Sequence, residues 1–226
     1  MILLFDIDGT LVADKGLDAE LYRASVHEVL GPDVTIHEDW SRYVHVTDDG
    51  ILREIAADHD VRFEDCVGPI RSAFERRVDA CADRWGAVPG AVELLAALRS
   101  RADVSVGIAT GGWQTTARRK LNCAGFELED LPLAASDDSV ERGKIMTICL
   151  ERVRGERSSP EQAQERIVYV GDGTWDLEAT ARLGWEFLAV GEKLKGRHSA
   201  WVTDFSDPGT LETWPSALLP TTQAPS

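Results

Sequence analysis

The chain has 226 residues, of which 43% are hydrophobic and 28% charged, values that are ordinary for a soluble globular protein. Lysine and arginine number 24 against 39 aspartates and glutamates, which gives a formal net charge of −15. This acidity argues against nucleic acid or an anionic membrane as the main partner. The N-terminal apolar run is too short for a signal peptide or a membrane span, and no cysteines form a Cys-x-x-Cys pair. We therefore expect a cytoplasmic monomer or homodimer.

The first element is a short apolar run, Ile2–Phe5, that ends in two carboxylates, Asp6 and Asp8, followed by Gly9. Such a run predicts a strand buried on both faces, as in a parallel sheet. Asp6 and Asp8 would lie on one side at its carboxyl end, where open α/β sheets bind ligands. Alternatively, the two carboxylates would cap a following helix. The rest of the chain has to decide between these two interpretations.

Residues 14–85 have mainly helical periodicity and contain no clear parallel strand. We therefore predict a helical cap domain over residues 14–85, inserted into a core domain formed by residues 1–13 and 86–226. A polar and aromatic loop between the predicted cap helices could reach the core and contact a substrate. Ordinary packing and surface exposure are the alternative for its members. These candidates are Trp40, Arg42, Tyr43, His45 and Thr47.

From Trp85 onward, strand patterns alternate with helical patterns. The predicted strands cover residues 103–109, 131–135, 166–170, 186–190 and 200–205, and a last helix is predicted over residues 209–218. This alternation predicts an α/β fold with a doubly wound parallel sheet.

Several of these strands end in small polar or acidic residues. Thr110 follows one strand, and Asp172 and Asp176 follow another. The carboxyl ends of parallel strands lie along one edge, so these residues should converge with Asp6 and Asp8. Clustered carboxylates stay ionised only around a hard cation such as Mg²⁺, which also binds phosphate oxygens. The pattern therefore favours phosphoryl chemistry, although each residue taken alone could simply cap a helix.

Four motifs occur in order on suitable elements, and together they resemble the haloacid dehalogenase superfamily. They are Asp6-Ile7-Asp8-Gly9-Thr10, Thr110 after an apolar strand, Lys144 at a helix start, and Gly171-Asp172 followed by Asp176. The resemblance spans residues 1–13 and about 86–205. The helical insertion is similar to the cap of the branch that contains phosphoglycolate phosphatase and β-phosphoglucomutase.

The resemblance implies that Asp6 is a nucleophile that forms an aspartyl-phosphate. It implies that Asp8 protonates the leaving oxygen and then activates water. The family also uses the carboxylate equivalent to Asp6 and the backbone carbonyl equivalent to Asp8 as Mg²⁺ ligands.

The other motif residues receive roles in the same way. Thr110 and the amides near Gly111 would hold the phosphoryl oxygens, and Lys144 would balance the negative charge on Asp6 and the phosphoryl group. Asp172 would bind Mg²⁺ directly, with Asp176 supporting the metal or Lys144.

The resemblance implies a Mg²⁺-dependent phosphatase that acts on a small phosphorylated metabolite. The alternatives are a sugar phosphomutase with the same aspartyl-phosphate chemistry and a non-catalytic module that binds a phosphorylated ligand. Relatives often carry a glycine and a basic residue where this chain has His45 and Val46, so a relative's substrate does not transfer. The basic run Arg118-Arg119-Lys120 is predicted to be a solvated helix face.

Overall fold

A computed structural model describes residues 1–155 and 165–207 of the chain. The strands are β1 (Ile2–Phe5), β2 (Val12–Ala13), β3 (Gly86–Ala87), β4 (Ser105–Ala109), β5 (Leu133–Ala134), β6 (Ile167–Gly171), β7 (Glu186–Val190) and β8 (Trp201–Val202). The helices are α1 (Leu17–Leu30), α2 (Asp48–Asp58), α3 (Phe63–Ala80), α4 (Ala91–Arg99), α5 (Gln114–Cys123), α6 (Arg142–Arg154) and α7 (Thr174–Leu183). None of these helices combines the length and the apolar character that crossing a membrane requires.

Six strands form a parallel sheet in the order β5-β4-β1-β6-β7-β8. The central strand β1 is fully buried, and its side chains alternate between two hydrophobic clusters. Leu3 and Phe5 belong to one cluster, and Ile2 and Leu4 to the other. A sheet that is covered on both faces confirms the predicted α/β fold with a doubly wound parallel sheet.

The register of the central strands brings their carboxyl ends level with one another. Phe5 is aligned with Ile108 of β4 and with Val170 of β6. The residues that follow these three strands therefore start from neighbouring points on one edge of the sheet. This edge carries Asp6, Thr110 and Asp172.

Helices α1, α2 and α3, called here the cap helices, lie between β2 and β3 in the chain. Strands β2 and β3 pair in antiparallel fashion and so connect both ends of this insertion to the core. The ring of Tyr22 on α1 packs against Phe74 on α3 and against Trp113 just before α5. The predicted core range 86–226 and the predicted last helix over residues 209–218 extend outside the described residues.

Candidate active site

Three carboxylates meet at the carboxyl edge of the sheet. Asp6, Asp172 and Asp176 each place one oxygen within 4.8 Å of the others, and all three side chains are buried. Burial, reinforced by nearby Asp6, raises the pKa of Asp172 to about 6 even though Lys193 acts in the opposite direction. Burial also raises the pKa of Asp176 well above its ordinary value. The three carboxylates repel one another, and nearby cations are needed to lower this cost.

The donor set of this cluster fits a hard divalent cation. Carboxylate oxygens are ligands that Mg²⁺ prefers. Asp176 Oδ1 is buried and accepts no hydrogen bond within the described chain; the Arg142 Nε lies 3.3 Å from it as an ion-pair partner, so the oxygen keeps a lone pair for a metal. Gly9 has a φ of 82° and allows the β1 loop to pass under Asp172, because a Cβ there would come 2.1 Å from Asp172 Oδ2. Asp6, Asp172 and Asp176 are thus the residues that could hold the metal.

The cation beside Asp6 is Arg142, the first residue of α6. Its Nη1 lies 3.2 Å from Asp6 Oδ1 and its Nε lies 3.3 Å from Asp176 Oδ1. Lys144, in contrast, is 64% exposed and pairs with Glu141 at 2.6 Å. The prediction that Lys144 contacts Asp6 is therefore wrong, because side chains two residues apart on a helix point in very different directions.

The loop after β4 lies next to the carboxylates. Thr110 is buried, and its Oγ1 accepts a hydrogen bond from the Gly112 N–H at 3.3 Å. A Cβ on Gly111 would come 2.7 Å from Arg142 Nη2, so glycine lets the guanidinium lie close to this loop. The structure thus brings these residues to one edge of the sheet, as the sequence predicted: Asp6, Thr110, Gly111, Asp172 and Asp176. Whether the loop binds phosphoryl oxygens stays a prediction.

Asp8 is paired with a buried lysine that the sequence analysis placed in solvent. Lys120 on α5 is only 1% exposed, and its Nζ lies 2.5 Å from Asp8 Oδ2 and 2.8 Å from Asp18 Oδ1. Burial acts to lower the pKa of Lys120, but the carboxylates of Asp18 and Asp8 overcome this effect and raise it. Burial also raises the pKa of Asp8, although Lys120 partly offsets the increase. The predicted solvated face of α5 is therefore wrong at Lys120.

A second lysine outside the predicted set reaches the carboxylate cluster. Lys193, three residues after β7, places its Nζ 2.5 Å from Asp172 Oδ2 while 64% of its side chain stays exposed. A position just after the carboxyl end of a strand was the signal used for Asp172, and the same signal could have identified Lys193.

Some of the candidate residues of the cap loop line the cavity that contains Asp6, and others do not. Trp40 and Thr47 line the cavity that contains Asp6. The Thr47 hydroxyl donates a hydrogen bond to the Val140 carbonyl and accepts one from the Gly50 N–H. His45 lines a neighbouring cavity instead. Arg42 is exposed and lines neither cavity, so these cavities do not support its predicted substrate role, which stays a prediction.

The first turn of α2 docks directly onto the loop after β4. The Asp48 N–H donates to the Gly111 carbonyl, and the Trp113 N–H donates to Asp48 Oδ2, each at 2.8 Å. Asp49 accepts hydrogen bonds from the Trp113 indole at 2.5 Å and from Arg71 at 2.8 Å. The cap helices are thus fixed to the core beside Thr110.

A cavity of about 420 Å³ lies between the cap helices and the edge of the sheet. Its lining includes Asp6, Asp8, Asp172 and Arg142 from the core, and Asp18, Tyr22, Trp40 and Asp48 from the cap helices and their loop. The cavity is of a size that suits a small metabolite.

The family model of the haloacid dehalogenase-like hydrolases matches residues 1–184. A comparison with curated proteins gave no match. Among solved structures, CbbY from Rhodobacter sphaeroides in complex with phosphate has a TM-score of 0.67 and 19% identity, over 92% of this chain and 96% of CbbY. β-Phosphoglucomutase from Clostridium difficile has a TM-score of 0.68 and 14% identity, over 91% of this chain and 92% of the enzyme.

A putative phosphoglycolate phosphatase from Lactobacillus plantarum has a TM-score of 0.55 and 17% identity, over 83% of this chain and 84% of that chain. At these identities the likenesses concern the fold. The family model, by comparison, covers most of the sequence, including β1, the loop after β4 and the Asp172 motif. The chain therefore belongs to the haloacid dehalogenase-like hydrolase family.

Proposed function

We propose that this protein is a Mg²⁺-dependent phosphatase that hydrolyses a small phosphorylated metabolite through an aspartyl-phosphate on Asp6. The observation that supports this proposal most is the buried group of Asp6, Asp172 and Asp176 beside the Thr110 loop. Two structures of one protein of similar fold are compatible with it, since CbbY from Rhodobacter sphaeroides was solved with phosphate and, as a mutant, with xylulose-1,5-bisphosphate.

The reaction has two steps. An Asp6 oxygen attacks phosphorus while the bond to the leaving oxygen breaks, and Asp8 gives its proton to that oxygen. In the second step Asp8 takes a proton from water, the water oxygen bonds to phosphorus, and the bond to Asp6 breaks. Arg142, 3.2 Å from Asp6, offsets negative charge as it accumulates around the phosphoryl group.

Asp6, Asp172 and the Asp8 backbone carbonyl would hold Mg²⁺, with Asp176 beside them. A bound Mg²⁺ would offset the charge of the carboxylates and of the phosphoryl oxygens. The Thr110 hydroxyl and the amides of the Thr110 loop orient the phosphoryl oxygens. The docked cap helices limit the access of water to Asp6 during the first step.

The proposal is tested by measuring inorganic phosphate released from a panel of small phosphate esters. We expect release with Mg²⁺, none with EDTA, and recovery when Mg²⁺ is added back. Asp6→Asn should abolish release, because an amide oxygen is a poor nucleophile. Asp58→Asn makes the same charge change at an exposed position of α2 and should retain activity.

Three results would contradict the proposal. Phosphate release that EDTA does not affect would exclude a metal requirement. An active Asp6→Asn variant would exclude Asp6 as the nucleophile. Isomerisation of a sugar phosphate without net release would indicate a phosphomutase instead.

A further inference from the structure

The part of the cavity beyond Asp8 is where the leaving group has to lie if Asp8 protonates the leaving oxygen. The cavity continues from Asp8 toward α1, α2 and the loop between them. The side chains that line it there are Asp18, Tyr22, Trp40 and Asp48. This lining combines two carboxylates with two aromatic rings and includes no basic side chain of α1 or α2.

Negative charge exceeds positive charge at this end of the cavity. Lys120 is the ammonium that serves both Asp8 and Asp18. Asp48 is a third carboxyl near Lys120, so three acidic groups share one cation. Of the basic residues that line the cavity, Arg142 and Lys193 are held by the Asp6–Asp172–Asp176 group. The remaining one, Lys15, is exposed and adjoins Asp14 in the chain.

Asp48 offers an unused oxygen to this space. The residue is only 8% exposed, and its Oδ2 accepts the Trp113 N–H. Its Oδ1 receives no hydrogen bond from any residue that the structure describes. Burial, with Asp18 adding to it, raises the pKa of Asp48 to about 8. A cation placed against Oδ1 would relieve this penalty and let the carboxyl ionise.

Two aromatic rings border the same region, and one of them already attracts a cation, since the Arg23 guanidinium carbon lies 4.4 Å from the centroid of the Trp40 ring. The Tyr22 hydroxyl donates to the Asp48 backbone carbonyl at 2.8 Å, which fixes the ring beside this residue. The rings of Tyr22 and Trp40 meet edge to face with centroids 6.0 Å apart. Aromatic faces attract ammonium groups, and a buried carboxylate nearby adds to that attraction.

We infer that the substrate is a phosphate monoester whose alcohol part carries an ammonium group, held by Asp18 and Asp48 beside Tyr22 and Trp40. This inference rests on the proposed phosphatase function, because that function places the leaving group beyond Asp8. A second phosphate or a carboxylate on the leaving group would be repelled by the same acidic groups.

The first test compares three small esters with the Mg²⁺-loaded protein. They are phosphoethanolamine, which carries an ammonium group, the neutral ethylene glycol monophosphate, and the anionic phosphoglycolate. We expect kcat/KM to fall in that order, with roughly a tenfold or larger step from the ammonium ester to the neutral one. Equal values, or a preference for phosphoglycolate, would overturn the inference.

The second test measures binding without turnover. The probes are 3-aminopropylphosphonate, butylphosphonate and 3-phosphonopropionate, which have non-hydrolysable P–C bonds. In the presence of Mg²⁺, the amino compound should raise the melting temperature most. Equal shifts for all three, or no shift for the amino compound, would overturn the inference. A selective shift without hydrolysis of any ester would support the cation site and contradict the phosphatase function.

Variants test whether Asp48 is the carboxyl that binds the ammonium group. Asp48→Asn keeps an oxygen for the Trp113 N–H, so the first turn of α2 can stay docked. It should reduce the selectivity for the ammonium compounds over their neutral counterparts by about tenfold or more. Asp58→Asn removes one charge from the exposed side of the same helix and should leave this ratio unchanged. If both variants behave alike, Asp48 is not the cation site.

Discussion

Arg142 stands two residues before Lys144 on α6, and in the structure only Arg142 touches the carboxylates. We expect Arg142→Ala to lower kcat by about 100-fold or more, because it removes a fixed positive charge beside Asp6, the proposed nucleophile. Lys144→Ala removes an exposed pair with Glu141 and should change kcat by less than about twofold. Steady-state phosphate release measures both values. A loss in Lys144→Ala as large as that in Arg142→Ala would restore the original assignment.

Lys120 is the residue whose removal should most affect folding. Replacing it with methionine leaves Asp8 and Asp18, which are partly buried, without their shared cation, and this should lower the free energy of unfolding by about 3 kcal/mol. Denaturant unfolding gives this value. Arg118→Met, on the same helix, serves as the control and should have a much smaller effect. Adding Asp18→Asn to Lys120→Met should recover part of the loss, and no recovery would argue against charge as the cause.

Individual residues also show where sequence patterns stop being informative. The first turn of α6 offers Arg142 and Lys144, and only the rotation of the helix against the sheet decides which one faces Asp6. Lys120 could have been identified, because it shares a helical face with the apolar residues Ala117 and Leu121. The adjacent Arg118 and Arg119 made the segment look uniformly solvated.

Among the secondary-structure elements, α2 has an unusual buried first turn that contains Asp48. Burial holds the pKa of Asp48 near 8, above its ordinary value of 3.8, with Asp18 from α1 raising it and Lys120 from α5 lowering it. Between pH 3.8 and about pH 8, Asp48 therefore retains a proton in the folded protein that it has lost in the unfolded chain. The stabilisation from this proton is complete below pH 4 and is lost as the pH rises through about 8.

Asp48→Asn cannot undergo this titration but keeps an acceptor for Trp113. We therefore expect Asp48→Asn to gain stability relative to the native chain as the pH rises from 5 to 8, by more than about 1 kcal/mol. Denaturant unfolding of the ligand-free protein at the two pH values measures the difference. A difference that stays constant, or one that shrinks with pH, would contradict the raised pKa of Asp48.

The elements of the sheet were more predictable than the loop between α1 and α2. Strands β1, β4, β6 and β7 are apolar runs with clear ends, and parallel pairing then brings their following residues to one edge. The loop between α1 and α2 has no comparable periodicity. Its placement depends on how the cap helices pack, which is why the sequence alone did not show that Thr47 lines the cavity with Asp6 while Arg42 lies outside it.

The whole molecule carries a formal charge of −15, and in its candidate site closely spaced carboxylates repel one another. Saturating Mg²⁺ should therefore stabilise the folded chain by about 2–3 kcal/mol at 100 times its dissociation constant. For a chain of this size this corresponds to about 5–10 °C in melting temperature. Thermal unfolding with Mg²⁺ and with EDTA measures the shift.

Sodium chloride at the same ionic strength is the necessary control, because any salt screens a strongly acidic surface. Asp172→Asn should lose most of the Mg²⁺-specific shift, whereas Asp58→Asn should retain it. A shift of the same size in Asp172→Asn would mean that the ion acts elsewhere on the surface.

Hydrogen bonds hold the first turn of α2 against the loop after β4, and amide hydrogen exchange can measure how often they break. The Asp48 amide proton points to the Gly111 carbonyl, so it exchanges with deuterium only when the first turn of α2 leaves the loop. A ligand that binds more tightly when α2 is docked shifts the equilibrium toward the docked state, and reciprocity requires that undocking α2 weakens the binding of the ligand by the same factor. The exchange protection of this one backbone amide therefore reports how strongly a bound ligand favours the docked position of α2.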